Sequence, residues 1–215
     1  GGAAVLGAAR AVAELAPKGV EVHFIVPTAE NMVSDRAYRV NDVIQSRLGK
    51  TVEIRNTDAE GRLILADALA YAVELEPEFI VDYATLTGGA VMTFAMEYAA
   101  VLSNRQELGR QYAELGTLAG ESMWQLPLSS KLRPSIDSDV ADIRNVGGQY
   151  GSTIVGGLFL AEFVGDIPWV HVDIAGLEMS EKPKGMFPKG ATGYGVLSLV
   201  ALCERAAELN FEALA

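Results

Sequence analysis

The densest potential chemistry in the sequence is the run Asn56-Thr57-Asp58-Ala59-Glu60-Gly61-Arg62. Asp58 and Glu60 stand two residues apart, just after a short alternating stretch. In an extended backbone, residues i and i+2 project to the same side. Two hard oxygen donors on one side suit a divalent cation, or a pair of them. Arg62 falls at the start of the next helical pattern, where a cation positions an anion or a developing oxyanion. Gly61 permits a tight approach of the backbone. An ordinary reading stands beside this one: Asp58 as a helix N-cap, Glu60 in the first turn, Arg62 in a surface ion pair. Spacing alone favours the ordinary reading modestly, because short acidic loops before helices are common.

Other chemistries find little support. The two histidines, His23 and His171, both lie on stretches that read as strands, and neither belongs to an H-E-x-x-H spacing. His171 reads as a core residue, or as one that supports a ligand from behind, rather than as a ligand itself. No G-x-S-x-G elbow is present. The pairs Gly88-Gly89, Gly147-Gly148 and Gly156-Gly157 form neither a phosphate-binding loop nor a dinucleotide fingerprint. Asp173 is an acid inside an apolar strand pattern, and a buried carboxylate must find donors or a cation. A structural role for it, bonded to backbone amides, is at least as well supported as a functional one. Cys203, the single cysteine, reads as a small buried hydrophobe. One cysteine forms no internal disulfide, which suits a cytoplasmic protein.

The elements that must position these residues alternate in type. Residues 3–15 place Val5, Ala8, Val12 and Leu15 on one helical face, and Pro17 and Gly19 stop the helix. Residues 20–26 alternate as a strand, 40–48 as a short helix or helical turn, and 51–55 as a strand again. A helix follows from Arg62 to before Pro77. Residues 79–83 read as a strand, and Thr85 to Gly89 as the turn after it. Residues 98–102 form a strand and 105–118 a polar helix. Residues 124–151 read as irregular, 154–164 as a buried helix, 169–174 as a strand, 178–190 as a loop and 195–207 as a closing helix. Such alternation predicts an α/β fold: a mixed, mostly parallel sheet sandwiched by helices, in one domain over residues 1–215. Sites in such sheets lie beyond the carboxyl ends of the strands.

Composition narrows the partners. Half of the 215 residues are hydrophobic, enough for one sizeable core. The formal net charge of -11 repels phosphate backbones, so nucleic acid is not an expected partner. The apolar runs are too short and too interrupted to span a bilayer, so no membrane partner is expected either.

Asn56-Thr57-Asp58-Ala59-Glu60-Gly61-Arg62-Leu63 closely resembles the signature of the leucyl (cytosol) aminopeptidase family. The turn Ala84-Thr85-Leu86-Thr87-Gly88 is similar to that family's substrate-lining turn. Residues 138–143, 171–176 and 189–195 resemble further family segments, in the family's order, so the resemblance covers nearly the whole chain.

The resemblance implies a two-metal aminopeptidase that releases N-terminal residues from peptides, with a leucine-like preference. On it, Asp58 and Glu60 are metal ligands, with Glu60 the bridge. Arg62 is the catalytic arginine, holding a bicarbonate ion. Thr85, Leu86, Thr87 and Gly88 bind substrate, and the helix near residues 154–158 walls the pocket for the first side chain. The implied cofactors are two divalent ions, manganese or zinc. The implied assembly is a hexamer in the cytoplasm. The family's remaining ligands and a lysine come from a glycine-rich segment whose tail Gly1-Gly2-Ala3-Ala4 resembles. Those residues and an N-terminal domain are therefore expected to lie outside this stretch. With only Asp58 and Glu60 to hold it, metal binding is expected to be weak, and the two carboxylates are expected to lean towards Arg62 or backbone amides. The alternative is a catalytically incomplete fragment, or a binding or assembly module with the same fold.

Overall fold

The computed structural model describes residues 1–206. Its centre is a four-stranded sheet in the order β3-β7-β4-β5, formed by Ile80–Ala84, Trp169–Asp173, Ala99–Ser103 and Met123–Gln125. β3 runs parallel to β7, β4 runs antiparallel to β7, and β5 runs parallel to β4. All residues of β4 and β7 are buried. A strand covered on both faces must be apolar throughout, and β4 (Ala-Ala-Val-Leu-Ser) nearly is. β7 departs from this at His171 and Asp173, each of which meets a polar partner.

Helices cover both faces. On one, α1 (Gly2–Leu15), α4 (Gln106–Leu118) and α6 (Val196–Arg205) pack Ala8, Tyr112 and Leu202 against Val101, Val170 and Val172. On the other, α2 (Gly61–Glu74) and α5 (Ser152–Ala161) pack Leu63, Leu69 and Phe159 against Ile80 and Trp169. This second core extends to a smaller sheet of β1 (Val43–Gln45), β2 (Thr51–Glu53) and β6 (Ile143–Arg144), through Val52, Ile54 and Ile143. β8 (Met179–Ser180) and β9 (Gly190–Ala191) make a separate two-stranded ribbon.

The mixed α/β expectation holds, and several elements differ from their sequence reading. Residues 20–26 alternate but form no strand. Their backbone makes no hydrogen bond among the described residues, and alternation yields a strand only where a neighbour completes the ladder. Residues 40–48 contain β1 rather than a helix. Ser46 and Lys50 close a tight turn, with Gly49 at φ 89°, and this pairs β1 with β2. The long segment 124–151 is not uniformly irregular, since it holds a 3-10 helix at Ser130–Ile136 as well as β6. β8 and β9 likewise interrupt the expected loop 178–190 at its two ends. The closing helix was expected to reach Ala207, which lies outside the described residues.

The turn after β3 also continues into a helix, α3 (Gly88–Phe94). Gly88-Gly89 reads as a turn by propensity, yet packing decides otherwise. Thr87 caps the helix by accepting from the Ala90 amide at 3.2 Å. Gly89 lies so close to the start of α5 that a Cβ there would sit 2.3 Å from Ser152 Oγ and 2.7 Å from Thr153 Oγ1. Gly61 has open space around it instead. Gly89→Ala is therefore expected to destabilise the chain by about 1–3 kcal/mol, whereas Gly61→Ala leaves it within about 0.5 kcal/mol. Urea denaturation of both variants checks this, and equal midpoints would refute the close packing of α3 on α5.

Candidate active site

The acidic loop enters from β2. Beyond it, Asn56 Oδ1 accepts from the Asp58 amide at 2.9 Å, an Asx turn that bends the chain towards α2. Asn145, fully buried just after β6, holds this loop from the other side. Its Oδ1 accepts from the Arg55 amide at 2.8 Å, and its Nδ2 donates to the Asn56 carbonyl at 2.7 Å. The backbone carbonyl of Asn145 also accepts from Arg62 Nη1 at 2.9 Å. One residue thus fixes both the acidic loop and the arginine. Sequence reading missed Asn145, because contact across 83 positions leaves no local signal.

Asp58, Glu60, Arg62, Thr85 and Leu86 line a single cavity of about 840 Å³. Neither carboxylate caps α2. The N-cap position is Glu60, without a side-chain cap bond. The Asp58 and Glu60 carboxylates make no hydrogen bond or ion pair among the described residues, so the expected lean towards Arg62 or backbone amides is not found. Arg62 is committed elsewhere. Its guanidinium is buried, lies 5.9 Å from the centroid of the Phe159 ring and leaves Nε without a partner among the described residues. Burial lowers its pKa from the ordinary value, against the opposing charge of Asp173.

Thr87 and Gly88 do not line the cavity. Gly88 opens α3 on its exposed side, while Thr87 turns inward to a buried carboxylate. Asp173, at the carboxyl end of β7, is 1% exposed. It accepts from the Leu86 amide at 3.0 Å, the Ala175 amide at 3.2 Å and Thr87 Oγ1 at 2.7 Å. Thr153 Oγ1 in α5 lies 2.9 Å from the same Thr87 hydroxyl. Asp173 therefore takes the structural role left open by its sequence setting, and what it structures is the turn of Thr85 to Gly88. Gly156 lets α5 approach that turn, since a Cβ there would lie 3.0 Å from Leu86 Cδ2.

Beneath the site, on the same sheet face, lies a second polar pair. His171 Nδ1 is 2.6 Å from Asp82 Oδ1, and Trp169 Nε1 donates to Asp82 Oδ2 at 2.7 Å. Burial works to lower the His171 pKa, but the charge of Asp82 and its hydrogen bond outweigh it, and the pKa is raised. His171 is thus a core residue as expected, though an ionisable one. Among the described residues, no group of three or more His, Cys, Asp or Glu is placed to hold a metal ion. Asp58 and Glu60 offer free hard oxygens, which fits part of a divalent-ion shell and not the whole of one. No described helix is long and apolar enough to cross a membrane.

A mixed α/β core with its polar groups gathered at the carboxyl ends of β3 and β7 has the layout of an α/β enzyme. Residues 1–200 match the catalytic domain of the cytosol aminopeptidase family, and the chain belongs to that family, a family of peptidases. Among relatives, a "Probable cytosol aminopeptidase" of Prochlorococcus marinus (strain MIT 9313) is 52% identical over 201 residues, which cover 93% of this chain and 41% of the relative. Another, from strain MIT 9211 of the same species, is 48% identical over 206 residues, covering 95% and 42%. A solved structure of a tomato leucine aminopeptidase mutant superposes with a TM-score of 0.89 at 43% identity, covering 94% of this chain and 39% of that one. The chain spans about two-fifths of the length of the curated relatives it matches.

Two outcomes follow from this geometry. Asp173→Ala strips an acceptor from buried amides and should cost about 2–5 kcal/mol. Amide exchange at Leu86 and Thr87 should then accelerate, while Asp173→Asn, which keeps one acceptor oxygen, restores most of the protection. Unchanged exchange in Asp173→Ala would show that the turn holds itself. For His171, a pKa raised in the folded state stabilises below the unfolded value of about 6.5 and loses that stabilisation as pH rises through the folded value. NMR titration should place the His171 ring above about 6.5, and Asp82→Asn should bring it down. A ring that stays neutral down to pH 5 would overturn the assignment.

Proposed function

We propose that this chain is the catalytic part of a metal-dependent aminopeptidase that removes N-terminal residues, leucine-like ones among them, from peptides. The observation that carries the reading is one cavity lined by two uncommitted carboxylates, a buried arginine and the Thr85-Leu86 turn. Asp58 and Glu60 would hold manganese or zinc ions, with Glu60 the bridge. Such ions polarise a carbonyl and lower the pKa of water. Arg62, clamped by the Asn145 carbonyl and Phe159, presents a fixed positive charge to an anion such as bicarbonate or to the developing oxyanion. Thr85 and Leu86, which line the cavity, would bind the peptide, and Thr87 and Gly88 would serve the same turn from outside the cavity, where Asp173 anchors it. A cytoplasmic hexamer is the assembly this reading carries from the family resemblance.

A second reading is favoured by one observation. The described residues bring together fewer than three candidate ligands at any point. On that reading residues 1–206 form a module whose metal site needs donors from elsewhere, and two carboxylates alone bind an ion weakly.

Assaying the chain alone and the chain grafted into the strain MIT 9313 relative, in place of its matching region, separates the two: metal-dependent hydrolysis by the chain alone fits the first reading, and hydrolysis only after grafting fits the second. The chimera should hydrolyse leucine p-nitroanilide with manganese or zinc present. Glu60→Ala should then lower kcat on the order of 100-fold or more at an unchanged melting temperature, since losing a ligand costs more than losing a residue that merely orients one. Wild-type rates in that variant, with full metal content, would refute the role given to Glu60.

A further inference from the structure

The face of the central sheet beneath α2 and α5 carries more buried charge than the proposed site uses. Side chains alternate along β7. Val170 and Val172 join the core under α1, α4 and α6, and Trp169 joins the core under α2 and α5. His171 and Asp173 therefore share the Trp169 face. Asp82 stands opposite His171 in the ladder of β3 with β7, and Leu102 of β4 stands on its other side. Asp82 has both oxygens engaged, one by His171 Nδ1 and one by Trp169 Nε1, and the Trp169 and His171 rings stack at 6.2 Å. His171 is fully buried.

This arrangement fixes which proton can leave. Asp82 accepts on both oxygens, so the nitrogen facing it, Nδ1, carries hydrogen whether the ring is charged or neutral. The proton that comes and goes is the one on Nε2, which has no partner among the described residues. Few charged groups face His171. Asp82 comes from β3, Asp173 from its own strand and Arg62 from α2. α5 and β4 contribute no ionisable side chain. Asp67, Tyr71 and Glu74 of α2 lie at the exposed surface around Arg47. With the Nε2 proton, two cations face two anions on this side of the sheet. Without it, Arg62 alone faces both carboxylates.

Arg62 holds the second buried atom without a partner among the described residues, Nε. Its Nη1 is spent on the Asn145 carbonyl. Nε and Nη2 are left, and they are the side-on pair of donors that a planar anion engages with two oxygens. A Cβ on Gly156 would lie 3.7 Å from Nη2 and 3.1 Å from Thr87 Cγ2, so the guanidinium reaches the turn that Asp173 anchors. We propose that His171 tunes the anion site at Arg62: the proton held on Nε2 strengthens anion binding there, and its release weakens it. Buried charges are screened far less than exposed ones, so the change is felt across the face. The sign follows from the balance of charge. An anion arriving at Arg62 meets the excess of Asp82 and Asp173 once the ring proton has gone. His171 touches no substrate and acts through Arg62, as a positioning residue. This coupling rests on the anion role proposed for Arg62.

Formate is the probe, a planar carboxylate that stays ionised while a histidine titrates. Added to the isotope-labelled chain without metal, it should shift the Arg62 Nε–H resonance. Its affinity should fall on the order of 5-fold or more as the His171 ring, followed in the same spectra, loses its proton. By linkage, saturating formate should move the titration of that ring to higher pH. His171→Gln, a neutral side chain that still donates to Asp82, should remove the step that tracks the ring. The Gly1 amine lines the same cavity and titrates separately from the ring. Where the variant does not fold, the wild-type ring decides alone, because a titration unmoved by saturating formate overturns the coupling. A step that persists undiminished in folded His171→Gln overturns it too. Formate that binds equally at every pH removes the coupling and leaves the anion role of Arg62 standing. Formate that binds at no pH removes both.

Discussion

The carboxylate of Asp173 is a charge held where water does not reach, and the site is arranged around that constraint. A buried anion is tolerated only when donors surround it. Here the donors are the amides of Leu86 and Ala175 and the hydroxyl of Thr87. Satisfying the charge therefore fixes the path of the chain beyond β3, and with it the start of α3. The same Thr87 hydroxyl meets Thr153, which ties α5 to the turn. Arg62 lies on this side of the sheet too, and the Asp173 charge partly offsets the cost of burying a guanidinium.

Asn145 plays the matching part on the other side. Its amide group supplies both an acceptor and a donor, so it can fasten a backbone strand and a loop together with one side chain. It bonds the Arg55 amide and the Asn56 carbonyl, and its own carbonyl receives Arg62. The two carboxylates of the acidic loop are left without such partners among the described residues. The loop is held by its backbone and by its asparagines, and among the described residues the Asp58 and Glu60 carboxylates take no part in holding it. That division of labour suits a site whose charged groups must be presented rather than consumed by the fold.

The central sheet has an unusual mixture of closed and open edges. β7 is paired on both sides and fully buried, and it carries both His171 and Asp173. Among the described residues β3 is paired with β7 alone, although helices cover both of its faces. An unpaired edge inside a covered sheet leaves polar backbone groups facing an apolar space. This is the same physics that leaves residues 20–26 without a ladder.

Local pattern in the sequence was enough for the α/β class and for most helices. The apolar spacing of α1, α2 and α4 and the buried runs of β4 and β7 are local facts that tertiary contacts only reinforce. The spacing of Asp58, Glu60 and Arg62 was likewise legible, because two carboxylates and an arginine after a strand carry a chemical meaning at short range. Three features were decided only by the fold. Residues 20–26 have the alternation of a strand, but a strand is defined by its neighbour. Gly88-Gly89 has the composition of a turn, but capping by Thr87 and contact with α5 make it a helix. Asn145 and Asp173 act on residues 89 and 87 positions away, at Asn56 and Leu86. Propensity and periodicity report what a segment can do alone. Hydrogen bonds between distant segments are made by topology, and no window along the chain contains both partners.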